Sequence, residues 1–398
     1  MKKSLIKGFY FTFKIYLTKF FNVFRYLIYL FIDFIIFRTA QKRTTKTLLL
    51  IRLDSIGDYV LVRNFFTAFK RSNRYKDHTI TLCGNVIWKD LAESFDAKVI
   101  DNFIWLNRKR FNNNPFYKYK FLKDIYKRGF ETVIDTTFSR ENLFGDAIVK
   151  TSRAIERIGS SGSPDNYAKW KRRLLTNKYY SKIIPDLDLN IFEFYRNKEF
   201  FEKVLSQPIE IIKPVLDITL IDFKIPTNNE FIVIFPGAQE PKRRWVGHNF
   251  GFVVQTIIKK YGYDIIIAGS KKDSSISKKL FFCFNSKKVY DLTGKTTLPQ
   301  LAKLISKAKL LISNETGAVH FAAAVQTPFV CISNGNHYGR FNPYPQAMNI
   351  KCKYIYPAEI ENDLNNHDLL STNYRFESNL DINTITPSKV LSAVSELL

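Results

Sequence analysis

The sequence predicts an α/β protein built on parallel sheets wrapped by helices, with room for two such units in its 398 residues. Three observations carry that expectation. Short runs such as TLLLIRL (residues 47–53) and FIVIF (231–235) are apolar throughout, as strands covered on both faces are. Strand-like and helix-like patterns alternate from residue 47 onward. Strand ends run directly into helix starts rich in Gly, Ser, Thr and Asp, which is where open α/β sheets bind ligands.

Composition narrows the partners. Hydrophobic content of 45% and charged content of 24% fit a folded chain, not a disordered one. The balance of 61 Lys and Arg against 36 Asp and Glu gives +25, a surplus that suits nucleic acid, a membrane surface or a phosphorylated substrate. The basic residues are spread along the chain and no nucleic-acid motif accompanies them, so a nucleic-acid partner is not expected. Cys83, Cys283, Cys331 and Cys352 are scattered without CxxC spacing, which predicts reduced thiols, a cytosolic compartment and no zinc site.

Residues 1–37 are dominated by aromatic and aliphatic side chains, with Lys3, Lys7, Lys14, Arg25 and Asp33 gathered towards one side of a helical wheel. The stretch without a basic residue, 26–37, is shorter than the ~20 apolar residues that span a bilayer. No cleavage site for a signal peptide follows. The expectation is an amphipathic helix in the membrane interface, its cations on anionic headgroups; a transmembrane anchor and a helix packed on the protein itself are the alternatives. Residues 38–46 read as a basic linker.

In the first folded unit, the strand at 47–53 leads through Asp54, Ser55, Ile56, Gly57 and Asp58 into a helix with Val60, Leu61, Phe65, Phe66 and Phe69 inward. Asp58 has two readings there: a helix-start residue, or a catalytic carboxylate at the sheet edge. Strands are expected at 79–83, 99–100, 132–136 and 155–158, and helices at 86–95, 116–127, 142–150 and 191–205. The basic stretch KWKRR (169–173) reads as a solvated loop, and Asp186 and Asp188 as loop and cap rather than a metal-binding DxD.

In the second unit, Pro236 and Gly237 end the strand at 231–235 and deliver Lys242, Arg243 and Arg244 to its edge, where they suit a diphosphate or form a solvated loop. Helices are expected at 250–261, 274–284 and 298–305, and strands at 264–268, 289–292, 310–312 and 328–332. GKTT at 294–297 lacks the first glycine of a P-loop, so an ATPase is rejected. NETGAVHFAAA (314–324) opens a helix at a strand end, pointing free N–H groups and a positive dipole end at one spot, a site for phosphate. His320 lies one turn in. His78, His248 and His367 read as surface or loop residues.

RLDSIGD (52–58), PGAQEPKRRW (236–245), the run from 291 to 324 and GRFNPY (339–344), in this order and spacing, resemble glycosyltransferase family 9, the lipopolysaccharide heptosyltransferases. The resemblance covers about residues 46–398, and Glu315 stands where members often have Asp. It implies a GT-B architecture: an N-terminal segment at 1–45, a Rossmann-like acceptor domain at 46–225, a Rossmann-like nucleotide-sugar domain at 226–375 and a closing helix at 376–398. It implies that Asp58 is the general base, with Ser55, Gly57 and Arg340 on flanking loops. The donor would be held by Gly237, Lys242, Arg243, Arg244, Gly294, Asn314, Glu315, Thr316, Gly317 and His320, without metal or cofactor. The expected reaction is inverting transfer of a sugar, heptose from ADP-heptose first, to a lipopolysaccharide or similar glycolipid at the inner face of the cytoplasmic membrane. Another nucleotide sugar, or a non-catalytic glycolipid- or nucleic-acid-binding protein, is the alternative.

Overall fold

The computed structural model describes residues 27–164, 168–185, 190–282 and 287–398. Most of the N-terminal segment (residues 1–26), Asp186, Asp188 and Cys283 lie outside the described residues. Two six-stranded sheets, parallel throughout, make up the architecture.

The first sheet has β1 (Thr47–Arg52), β2 (Thr79–Asn85), β3 (Asn102–Leu106), β4 (Thr132–Asp135), β5 (Glu156–Ser160) and β6 (Lys182–Ile184), in the order β3-β2-β1-β4-β5-β6. β1 is central because Leu48, Leu49, Leu50 and Ile51 are apolar on both faces, and all four are fully buried. The second sheet has β7 (Phe231–Phe235), β8 (Asp264–Ile267), β9 (Val289–Asp291), β10 (Leu310–Asn314), β11 (Phe329–Ile332) and β12 (Cys352–Ile355), in the order β12-β11-β10-β7-β8-β9. In each sheet the chain builds outward from one central strand and then returns to its other side. The crevice at that reversal, between β1 and β4 and between β7 and β10, is where loops diverge and ligands bind. This is the paired-sheet GT-B arrangement.

Four helices position the site: α1 (Ile56–Val62) after β1, α2 (Glu193–Leu205) crossing behind it, α3 (Leu298–Lys307) and α4 (Gly317–Ala324) after β10. α1 packs on α2 and on α4, so the two units touch through the helices that leave their central strands. A second tie between the units is the Leu298 N–H, which donates to Asp90 Oδ2 at 2.9 Å. The terminal helix α5 (Pro387–Leu397) buries Val390, Ala393 and Val394 against the second sheet.

The structure corrects two local expectations. Residues 99–100 form a turn, and the strand follows at Asn102–Leu106, because Asp96 stops the preceding helix and its carbonyl accepts from the Val99 and Ile100 N–H groups. KWKRR is helical (Lys169–Leu175), and Arg172 is buried, its guanidinium donating to the carbonyls of Ser161, Gly162 and Ser163. A basic run reads as solvated only until a carbonyl-rich loop supplies acceptors. No helix among the described residues is long and apolar enough to cross a membrane.

Candidate active site

The first half of the site is built where β1 becomes α1. Ser55, extended at φ −81° and ψ 175°, is the N-cap, and Asp58 is the third residue of the helix. One carboxylate oxygen, Oδ2, accepts from the Ser55 N–H at 3.3 Å and from the Ser55 hydroxyl. The other, Oδ1, stands 3.9 Å from Arg52 Nη2. Asp58 thus completes the capping box that Ser55 begins and leaves its second carboxylate oxygen at the sheet's carboxyl edge.

Arg52, fully buried at the end of β1, donates from Nε to Asp54 at 2.9 Å and from Nη1 to the Thr136 carbonyl at 2.8 Å and Asn197 Oδ1 at 3.2 Å. Its Nη2 has no hydrogen-bond partner among the described residues; nor has Glu193 Oε1, 3.6 Å away. Glu193 sits at the start of α2, and its Oε2 accepts from Arg196 Nη1 at 2.5 Å and from Arg340 Nε at 2.9 Å. Burial opposes ionisation of Glu193, but Arg340, Arg196 and Arg52 together outweigh it and hold the carboxyl down at about 2. Asp54 goes the other way: burial, with Asp58 and Glu193 adding like charge, raises it above the usual range despite Arg52.

The second half is built where β10 becomes α4. Asn314 is fully buried, accepting from the Trp245 N–H at 3.1 Å and donating to the Pro236 carbonyl at 2.7 Å. Its amide thus ties the loop after β7 to the end of β10. Thr316 caps α4, its hydroxyl accepting from the Ala318 N–H at 3.3 Å. Glu315 is buried between Arg243 Nη2 at 2.9 Å and the Ser333 hydroxyl at 2.9 Å. Arg243 Nε is buried without a hydrogen-bond partner among the described residues. His320 shares a 2.8 Å hydrogen bond between Nδ1 and the Tyr344 hydroxyl. Burial, then the Arg243 charge, lowers its pKa to about 4, so the ring is neutral.

The halves meet at two glycines. A Cβ on Gly57 would stand 2.7 Å from His320 Cδ2, and one on Gly317 would stand 3.5 Å from the Gly57 nitrogen. At Gly57 a side chain fits only if the His320 ring shifts, whereas at Gly317 a methyl group would meet ordinary van der Waals contacts. Arg340 joins from the second unit through Glu193, and the Glu193 N–H donates to the Arg340 carbonyl at 2.8 Å.

The other expected residues lie around this centre in supporting positions. Arg244 Nε donates to the Ala238 carbonyl at 2.7 Å, and Lys242 pairs with Glu377. Gly237 passes against the Asp273 carboxylate, where a Cβ would come within 2.4 Å. Gly294, at φ +70°, packs on Lys271. Arg52, Asp54 and Glu193 were not among the expected site residues. The first two stand inside RLDSIGD and could have been found there; Glu193 has no local signal beyond an acidic first turn. Among the described residues no group of His, Cys, Asp and Glu is arranged to hold a metal ion.

Comparison with known proteins bears on this arrangement. The family model described as glycosyltransferase family 9 (heptosyltransferase) matches residues 121–367. Lipopolysaccharide heptosyltransferase 2 of Salmonella typhimurium is 25% identical over 163 residues, 40% of this chain and 45% of that protein. Lipooligosaccharide heptosyltransferase 2 of Haemophilus ducreyi is 32% identical over 111 residues, 25% of this chain and 30% of that protein. The chain spans about half the length or less of these curated relatives. Among solved structures, the ADP-heptose lipopolysaccharide heptosyltransferase II of Escherichia coli superposes with a TM-score of 0.64 at 16% identity, covering 88% of this chain and 98% of that one. An E. coli heptosyltransferase solved with ADP gives 0.67 at 13% identity, covering 88% and 100%. The low identities make these a likeness of fold, whereas the family model covers well over half of the sequence. The chain belongs to glycosyltransferase family 9, the heptosyltransferase family.

Proposed function

We propose that the protein is an inverting glycosyltransferase that moves heptose from ADP-heptose to a lipopolysaccharide or related glycolipid acceptor, working on the cytoplasmic face of the inner membrane. The observation that carries this reading is the meeting of Gly57 with Gly317 and His320, which sets the Asp58 turn beside the helix start suited to a diphosphate. Asp58 Oδ1 takes the proton of the acceptor hydroxyl as its oxygen attacks the anomeric carbon from the face opposite the leaving group. The bond from that carbon to the diphosphate oxygen breaks, and the electron pair leaves with the nucleotide. Charge growing on the diphosphate is met by the N–H groups at the start of α4 and by the half-buried Arg243 guanidinium, whose Nε has no partner among the described residues. Neutral His320 adds a polar wall without a second charge. The reading includes no resident metal or cofactor.

Support for heptose comes from the names of the relatives and from the family. Asp58→Asn keeps the shape of the turn and removes the base. Transfer is expected to fall by about 10²–10⁴-fold while nucleotide affinity stays within a factor of about two. Near wild-type turnover in the Asn variant would end the assignment. A panel of nucleotide sugars, scored by acceptor-dependent nucleotide release, separates ADP-heptose from other donors; release with none of them would leave the glycolipid-binding alternative.

A further inference from the structure

The helix at residues 27–37 is gripped on one side and bare on the other. Ile32 and Ile36 are buried in the cluster that also holds Leu122, Ile125, Ile148 and Val149 of the first unit. Asp33 accepts from Lys150 Nζ at 2.5 Å and from the Thr151 hydroxyl at 3.3 Å, so the residue expected on a polar face is turned into the protein. Just beyond the helix, Gln41 Nε2 donates to the Ser152 carbonyl at 2.8 Å. The opposite face carries Leu27, Leu30, Phe31 and Phe34, at the i, i+3, i+4, i+7 spacing of one helical stripe. These are 55%, 41%, 62% and 52% exposed, and the stripe ends at Arg38, whose guanidinium lies 4.1 Å above the Phe34 ring.

Next to the stripe, beginning at Phe37, is an open hollow of about 550 Å³. Arg43, Arg153 and Arg157 line it, and no acidic residue does. Arg153 lies 4.2 Å from the Phe37 ring centroid. Arg157 is fixed by donating Nε to the Tyr179 carbonyl at 2.6 Å. Burial, and then the like charge of Arg153, holds the Arg157 pKa below its ordinary value, so an anion here would relieve a repulsion the protein leaves standing. Ile155, between the two arginines in sequence, is 65% exposed at the rim.

We propose that this hollow is a headgroup site: it takes the phosphate of an anionic phospholipid while the adjoining Leu27, Leu30, Phe31 and Phe34 enter the acyl boundary. The two features complement each other along one edge. A free phosphate has no use for four large exposed apolar side chains. A neutral bilayer surface has no use for three arginines without carboxylate partners in the lining. The inference rests on the membrane-surface reading above and sharpens it from general attraction to a particular lipid chemistry.

Flotation of the full chain with vesicles tests it. Vesicles are phosphatidylcholine alone or with about a quarter phosphatidylglycerol, and the expected preference for the anionic set is about tenfold or more. Arg43→Ala with Arg153→Ala should lower binding to the anionic vesicles by about ten- to thirtyfold, at an unchanged melting temperature. Lys259→Ala with Lys260→Ala, which removes the same charge from an exposed face of the second unit, should lower it by about threefold or less. Leu30→Ser with Phe31→Ser should weaken binding to both vesicle types. Equal losses in the arginine and lysine pairs would mean diffuse attraction and overturn the pocket. Equal binding of the wild type to both vesicle sets would also overturn it while leaving the membrane reading intact, and no binding to either would sink the membrane reading itself. Inorganic phosphate at millimolar concentration that raises the melting temperature through Arg43 and Arg153, with no vesicle preference, would reassign the hollow to a free anion.

Discussion

The turns at Ser55–Asp58 and Thr316–His320 are the same device used twice. Each follows a central strand of its sheet, β1 in the first and β10 in the second, each is capped by a hydroxyl residue, and each places a glycine where the other arrives. They differ in charge. Behind the first lie Arg52, Asp54, Glu193, Arg196 and Arg340, a buried network in which nearly every charge is met by a neighbour. At the second, the groups nearest the helix start are a threonine hydroxyl, backbone N–H groups and a neutral histidine, with the Arg243–Glu315 pair beside them. Behind the first, Arg340, Arg196 and Arg52 hold the buried Glu193 carboxylate ionised against the cost of its burial. If the second receives a diphosphate, as proposed, its helix-start N–H groups are what the phosphate oxygens would meet.

The largest test of that contrast is Glu193→Gln. It leaves Arg340, Arg196 and Arg52 short of a buried counter-charge, and the loss of stability is expected at about 3–5 kcal/mol in urea unfolding. Thr316→Ala, at the neutral turn, removes one cap and is expected to cost about 1 kcal/mol. If the two losses come out alike, the division into a charged and a neutral turn is wrong.

A smaller effect on stability, concentrated on turnover, is expected from Gly57→Ala. Its methyl group would come within 2.7 Å of His320 Cδ2, so the ring or the lobes must shift, for about 1–3 kcal/mol. Transfer should fall more than nucleotide binding does if, as proposed, the nucleotide is held by the second unit. His320→Ala added to Gly57→Ala should restore part of the activity. A double-mutant cycle without coupling would show that the lobes do not meet there during turnover.

What the sequence made readable follows from the same contrast. Sheets, central strands and both turns were legible because apolar strands, caps and glycines act within a few residues of one another. Asp58, Thr316 and Gly317 could be placed for that reason. Asn314 was read as a donor contact because it lies in the same motif, yet its amide is committed to Trp245 and Pro236, partners distant in sequence. Glu193 was invisible because its meaning comes from Arg52 and Arg340, which only the fold brings to it. KWKRR misled for the mirror reason: Arg172 finds its acceptors in a loop about ten residues upstream that carries no recognisable signal.

Acid should separate the turns most finely. His320 has a folded-state pKa of about 4 against 6.5 for the free side chain. As pH falls below 6.5 the unfolded chain takes up this proton and the folded chain does not, so stability is full above that range and drains away down to about 4. Glu193, held at about 2 against 4.5, keeps its contribution above 4.5 and loses it only as pH falls towards 2. The neutral turn therefore weakens first. At pH 6 the His320 share is about 0.8 kcal/mol relative to neutral pH. His320→Asn, measured by urea unfolding at pH 7.5 and pH 6, should flatten the profile by about that amount and leave the decline below pH 4.5 in place. An unchanged slope between pH 7.5 and 6 would mean that the ring takes up its proton as readily in the folded chain as in the unfolded one, and the second turn would then gain a charge over that range.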